Sequence, residues 1–187
     1  GQSCVAGTRG IVHRSILDEL IKRINEKAKS IIVGDPLQTA THMGPLCTNA
    51  QIETIEDTLK KAKTQGAEIH FGGKRVAGLD GNFFAPTLVE CKSADTETLK
   101  VEMFGPVMSL LPFDSEEEAI HLANDTDYGL TNYVQTSDPE KANRVARRMR
   151  TGMVDMNGKA RSSGSPFGGM KQSGNGREGG KWGLEEF

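Results

Sequence analysis

The chain has 187 residues, 36% of them hydrophobic and 26% charged, and a formal net charge of −2. That length suits one globular domain with a real core. The charge balance gives no reason to expect nucleic acid or an anionic membrane surface as a partner, and no apolar run approaches the roughly 20 residues that span a bilayer.

The opening stretch, GQSCVAGTR, leaves VAGTR free to begin a helix just behind Cys4. SILDELIKRINEKAKSI, from Ser15, predicts an amphipathic helix with Ile16, Leu20, Ile24 and Ala28 on its buried face and Ser15 or Asp18 as its cap. Gly34, Pro36, Gly44 and Pro45 then break any regular element, so this stretch reads as a loop. Thr48 and Gln51 form a T-x-x-Q capping box ahead of a second helix, buried through Ile52, Ile55, Leu59 and Ala62 and ended by Gly66. AEIHFGG reads as a short strand, and GLDGNFFAPTLVEC as a turn and another strand.

VMSLLPF, from Val107, is an apolar run bounded by Pro106 and Pro112, which suits a buried strand. Ser115 caps a helix to about Asn124, with Glu116, Glu117 and Glu118 in the first turn, where negative charge is favoured. Gly129 and the strand LTNYVQTS follow. Asp138 and Pro139 open another helix, predicted to reach Arg150, and GMVDMN is a further strand. The rest is rich in glycine until KWGLEEF. Alternating helices and short apolar strands predict an α/β fold with a mostly parallel sheet covered on both faces.

Three cysteines, Cys4, Cys47 and Cys91, and four histidines, His13, His42, His70 and His121, are scattered without a CxxC or zinc-ligand spacing. Neither a disulfide scaffold nor a bound metal is expected, and a reducing cytoplasm is the expected compartment. Cys4 is a candidate nucleophile if helix amides stabilise its thiolate; a buried structural thiol is the alternative. Cys47 and Cys91 read as structural. In VEMFGPV a carboxylate and an aromatic ring, Glu102 and Phe104, stand just before a buried strand. A carboxylate there can accept two hydrogen bonds from a sugar diol, although a surface glutamate and a core phenylalanine would look the same.

Gly174, Gly176 and Gly179 spell G-x-G-x-x-G, but no strand precedes them and the sequence ends eight residues later, so a dinucleotide fingerprint is rejected. These glycines read as sharp backbone turns. Arg144, Arg147, Arg148 and Arg150 read as a solvated helix face, since no aromatic residues interleave to stack bases.

Taken in order, GQSCVAGTR, GPL at 44–46 with Gln51, EMFGPV, Tyr128-Gly129-Leu130, GMVDMNG and SPFGGMKQSGNGRE closely resemble the catalytic domain of the NAD(P)-dependent aldehyde dehydrogenase superfamily. The resemblance covers nearly the whole chain. It implies a three-layer α/β/α domain over residues 1–187 with a mostly parallel, doubly wound sheet. Cys4 would be the nucleophile and its backbone N–H part of an oxyanion hole. Glu102 would hold the nicotinamide ribose, with Phe104 beside the nicotinamide. Phe167 would line the substrate tunnel, Asn157 would be structural, and Gln2 and Arg9 would frame the site.

The resemblance further implies oxidation of an aldehyde to an acid with NAD or NADP, NAD being favoured. A CoA-acylating semialdehyde dehydrogenase and a non-enzymatic protein reusing the fold are the alternatives. The nucleotide-binding domain, with the general-base glutamate and the oxyanion asparagine, and a C-terminal oligomerisation tail are expected outside these residues. The 187 residues alone are expected to be inactive, and the intact enzyme to be a homodimer or homotetramer.

Overall fold

The structure, a computed structural model, describes residues 2–159, 162 and 164–185. Gly1 of the opening motif and Glu186-Phe187 of the closing stretch lie outside the described residues. Contacts divide the chain into two compact units, residues 1–114 and 115–187.

In the first unit the chain runs β1 (Arg9–His13), a 3-10 turn (Arg14–Ile16), α1 (Leu17–Ala28), α2 (Asn49–Thr64), β2 (Glu68–Phe71), β3 (Thr87–Glu90), α3 (Glu97–Lys100) and β4 (Val107–Phe113). The four strands form one sheet in the order β1-β4-β3-β2, with β1-β4 and β4-β3 parallel and β3-β2 antiparallel. Alternation along β3 and β4 sends Leu88 and Leu110 to one face and Val89 and Ser109 to the other. On the first face, Leu88 and Leu110 pack with Val12, Leu17 and Ile21, so α1 covers it. On the second, the Ser109 hydroxyl donates to the Thr98 carbonyl of α3, which itself packs on α2. Ser109 and Val89 are fully buried there.

Three details differ from expectation. Residues 9–13 form a strand where a helix start was open, because β4 offers a parallel backbone partner from Arg9↔Ser109 to His13↔Phe113. The first helix starts at Leu17, and neither Ser15 nor Asp18 caps it. Its entry is the 3-10 turn, where the His13 imidazole accepts from the Ser15 N–H. Leu17 and Ile21 are the buried residues, Leu20 and Ile24 pack beside them partly buried as expected, and Ile16 is exposed.

The second unit contains α4 (Glu116–Asn124), β5 (Tyr128–Gly129), β6 (Thr131–Val134), α5 (Pro139–Ala146), β7 (Met153–Met156), β8 (Met170–Lys171) and α6 (Gly180–Glu185). β6 and β7 pair in parallel with α5 as their crossover, and β5 pairs with β8 antiparallel. Ser115 and Asp138 cap α4 and α5 as expected. α5 ends at Ala146, short of the expected Arg150. The Asn124 side chain stops it, accepting from Arg150 N–H and donating to the Arg148 carbonyl.

No helix among the described residues is long and apolar enough to cross a membrane. All three cysteines are free; Cys91 is buried and Cys4 and Cys47 are exposed. Burial pushes the Cys91 thiol up, as a structural role requires. Cys47 departs from that reading, since an exposed thiol supports no core.

Candidate active site

Cys4 sits in a tight turn in which the Ala6 N–H donates to the Ser3 carbonyl at 2.9 Å. The thiol is exposed. The chain behind it enters β1 and not a helix, so a helix begun at VAGTR, the expected source of thiolate stabilisation, does not form. What the fold supplies is position. The turn emerges just before the first residue of β1, and the VEMFGPV segment emerges just before β4. The two strands are parallel neighbours, and the Ser109 N–H donates to the Thr8 carbonyl at 2.8 Å. Both segments therefore leave the sheet at the same end.

A chain of hydrogen bonds ties them. The Gln2 amide oxygen accepts from the Cys47 N–H at 2.9 Å. The next residue, Thr48, caps α2 by accepting from the Gln51 N–H at 3.2 Å. The Gln51 side chain then donates to the Met103 carbonyl. Thus the residue two before Cys4 and the residue between Glu102 and Phe104 are both held by the start of α2. Gln2, read as a framing residue, is held by the Cys47 N–H. For Gln51 the capping box is only half correct: Thr48 caps, but the Gln51 amide reaches across to Met103.

Glu102 is exposed, and among the described residues no hydrogen bond or ion pair engages its carboxylate. Met103 is buried beneath it. Phe104 is half-buried and carries a positive φ of 44°, an uncommon conformation for an aromatic residue. Gly105 follows because a Cβ there would run into the side chains of Ile55 and Leu46. The loop is therefore pinned from below, with the Glu102 carboxylate directed away from its own fold. A carboxylate placed that way, beside an aromatic ring, suits a ligand presenting a diol and a flat ring.

Phe167 and Asn157 belong to the second unit. Phe167 is half-buried and exchanges two backbone hydrogen bonds with Glu178, at 2.8 and 2.7 Å. Arg177 stitches the adjoining glycine-rich turn by donating to the carbonyls of Gly169, Asn175 and Gly176. A Cβ on Gly168 would overlap the Gly176 carbonyl, so close backbone approach explains this glycine. The G-x-G-x-x-G string lies in that turn; contrary to expectation a two-residue strand, β8, precedes it, but the helix that follows, α6, has only six residues, short of what a dinucleotide fingerprint requires. The Asn157 side chain accepts from the Thr136 N–H at 2.9 Å, a structural task. Arg144 and Arg148 pair with Glu116 and Glu117 of α4, so the basic stretch is an ion-paired surface.

Comparison with known proteins adds the family context. The model of the aldehyde dehydrogenase family matches residues 1–187. The 3-succinoylsemialdehyde-pyridine dehydrogenase of a Pseudomonas species is 43% identical over 189 aligned residues, covering 100% of this chain and 40% of that protein. Betaine aldehyde dehydrogenase from Staphylococcus aureus, solved in complex with NAD+, superposes with a TM-score of 0.94 at 40% identity, covering 100% of this chain and 38% of the other. An aldehyde dehydrogenase from Bartonella henselae gives a TM-score of 0.95 at 43% identity, covering 100% of this chain and 40% of that one. The expected three-layer α/β/α, mostly parallel fold class is thereby borne out. The chain spans about two fifths of the length of the relatives it matches.

Proposed function

The chain belongs to the aldehyde dehydrogenase family, and from that premise we propose that residues 1–187 are the catalytic domain of a longer enzyme that oxidises an aldehyde to a carboxylic acid. The observation that carries this reading is the hydrogen-bonded link from Gln2 through Cys47 and Gln51 to Met103. It holds an exposed thiol and an unengaged carboxylate at one end of a rigid sheet.

Cys4 is the nucleophile. Its thiolate adds to the aldehyde carbon to give a thiohemiacetal, whose oxyanion the Cys4 N–H helps to bind. NAD, when bound, supplies the hydride acceptor. Loss of hydride from the former aldehyde carbon leaves a thioester on Cys4. Water attacks that thioester, the C–S bond breaks, and the acid leaves with Cys4 restored. Glu102 accepts hydrogen bonds from the ribose hydroxyls and so fixes the nicotinamide end, with Phe104 beside it. Phe167 lines the aldehyde's approach. NAD is favoured over NADP, in line with the NAD+ complex of the Staphylococcus aureus relative. A nucleotide-binding domain of the same polypeptide, a homodimeric or homotetrameric assembly and a cytoplasmic setting complete the proposal.

The test is turnover of the full-length protein with a panel of aldehydes, NAD or NADP, and with or without free CoA. Cys4→Ala is expected to abolish reduced-cofactor formation. Glu102→Gln is expected to raise KM for NAD about tenfold or more, as the loss of a charged hydrogen-bond acceptor would. Activity only with CoA would move the protein to the acylating branch. Undiminished activity in Cys4→Ala would overturn the assignment, and silence with every aldehyde would leave a non-enzymatic role.

A further inference from the structure

A second cluster of ligand-type side chains lies at the open edge of the four-stranded sheet. Glu68 and Glu90 stand opposite each other in the antiparallel register of β2 and β3, so both leave on the face that α1 covers. The register shifts between Ile69 and Phe71. Such an irregularity lets His70 and Phe71 turn to the same side. Phe71 packs into the core under α1, and His70 turns to the carboxylates. Its Nε2 lies 2.9 Å from Glu90 Oε2 and its Nδ1 3.7 Å from Glu68 Oε1. One ligand atom from each of the three residues falls within 4.8 Å of the others. The side chains of His70 and Glu90 are only 17% and 12% exposed.

An independent feature points to the same place. His70 and Glu90 line a cavity of about 400 Å³ together with Asp18, Lys22, Asn25 and Glu26 of α1. The side-chain oxygen of Asn25 is buried and has no hydrogen-bond partner among the described residues. A buried acceptor left unsatisfied is costly, by about 1–3 kcal/mol. That oxygen is closed off from solvent and so does not itself face the open space; the cavity bears on the cluster through His70 and Glu90, which line it.

We propose that His70, Glu90 and Glu68 form a binding site for a divalent transition-metal ion of the zinc class. The imidazole selects against magnesium and calcium, which take oxygen ligands, and favours zinc and its neighbours. Two carboxylates balance the double positive charge. Ligand atoms held at about 2.0–2.2 Å by a tetrahedral zinc stand roughly 3.3 Å apart. The His70–Glu90 pair is already that close. Glu68 stands on the Nδ1 side of the ring, and its side chain, 61% exposed, has the freedom to swing to the Nε2 side where Glu90 stands.

Glu90 divides its oxygens, with Oε1 taking the Lys92 ammonium and Oε2 facing the imidazole, so binding need not displace the lysine. Burial alone would raise the Glu90 carboxyl. The Lys92 and His70 hydrogen bonds outweigh it and hold the group below the usual carboxylate range.

The experiment uses full-length protein, stripped with a chelator and alkylated at its thiols so that cysteine sites do not contribute. Cobalt(II) is titrated in as a zinc surrogate and followed by its visible d–d absorption, then displaced with zinc. Saturable binding of one ion per chain is expected. Affinity should fall tenfold or more in His70→Ala and in Glu90→Gln, fall several-fold in the surface variant Glu68→Gln, and stay unchanged in His121→Ala. Far-UV circular dichroism checks that each variant is folded, and Glu68→Gln carries the test if the half-buried variants are not. Absence of saturable binding in the wild type, or binding that folded Glu68→Gln and His70→Ala retain unaltered, would overturn the proposal.

Discussion

Gln51 shows how much one side chain does when its partner is distant in sequence. Its amide donates to the carbonyl of Met103, the residue between the proposed ribose-binding Glu102 and Phe104. Removing it leaves a half-buried carbonyl without its donor, at a cost of about 1 kcal/mol. Gln51→Ala should lower the unfolding free energy by that amount and raise KM for NAD more than it lowers kcat, because the loop is loosened while Cys4 is untouched. Gln51→Glu, which keeps the shape but has no amide hydrogen, should do at least as much damage. Urea melts and steady-state kinetics on both variants decide the matter; wild-type behaviour in Gln51→Glu would remove the bond from the account. Sequence spacing alone assigned Gln51 to its own helix end, since a residue three after Thr48 suits a capping box. The partner at Met103 left no local signal. Cys4 was marked as a candidate by its neighbours, but its assignment came from the succession of motifs.

At the scale of elements, what depends on neighbours in the chain was legible and what depends on distant partners was not. Ser115, Thr48 and Asp138 cap the helices that their local sequence announces. The Val107–Phe113 strand was visible as an apolar run. The Arg9–His13 strand was not, because a five-residue strand with a glycine in it forms only when β4 supplies its ladder. The entry to α1 was misplaced for a related reason: a histidine-capped 3-10 turn takes up Ser15 before the helix begins. Local capping has a measurable consequence. The Ser115 hydroxyl accepts from the Glu118 N–H at 3.2 Å, and α4 then presents Glu116 and Glu117 to Arg144 and Arg148. Ser115→Ala should destabilise the protein by about 1 kcal/mol, and Ser115→Asp should restore most of that loss. Thermal melts of the two variants test it, and an unchanged midpoint in Ser115→Ala would show that the cap contributes nothing.

At the scale of the whole molecule, ionisation limits stability from both sides. Hydrogen bonds from Arg14, Arg144 and Arg148 hold the carboxyls of Asp114, Glu116 and Glu117 below their ordinary range, and the Lys141 and Glu140 backbone amides do the same for Asp138. Glu90 is lowered as well, since its Lys92 and His70 hydrogen bonds outweigh its burial. A group with a depressed folded-state pKa binds fewer protons when folded than when unfolded. Its contribution is complete above its unfolded value, about 4–4.5 for these carboxyls, and is lost as pH falls through the folded value. The Cys91 thiol is shifted the other way by burial. Its contribution is complete below the unfolded thiol value of about 8.5 and is lost as pH rises beyond it, because only the unfolded chain can then ionise readily. The unfolding midpoint should therefore be flat from about pH 5 to 8, fall below about pH 4.5 and fall again above about pH 8.5. The acid limb should be shallow, since exposed ion pairs contribute little each, and it should flatten further in a Glu116→Gln, Glu117→Gln double variant. Cys91→Ala should start from a lower stability and lose the alkaline limb. Melts across the pH range in low and high salt separate the two limbs, because salt weakens the exposed pairs and leaves the buried thiol unaffected. A midpoint that rises on acidification below pH 4.5 would contradict the direction assigned to the carboxylates.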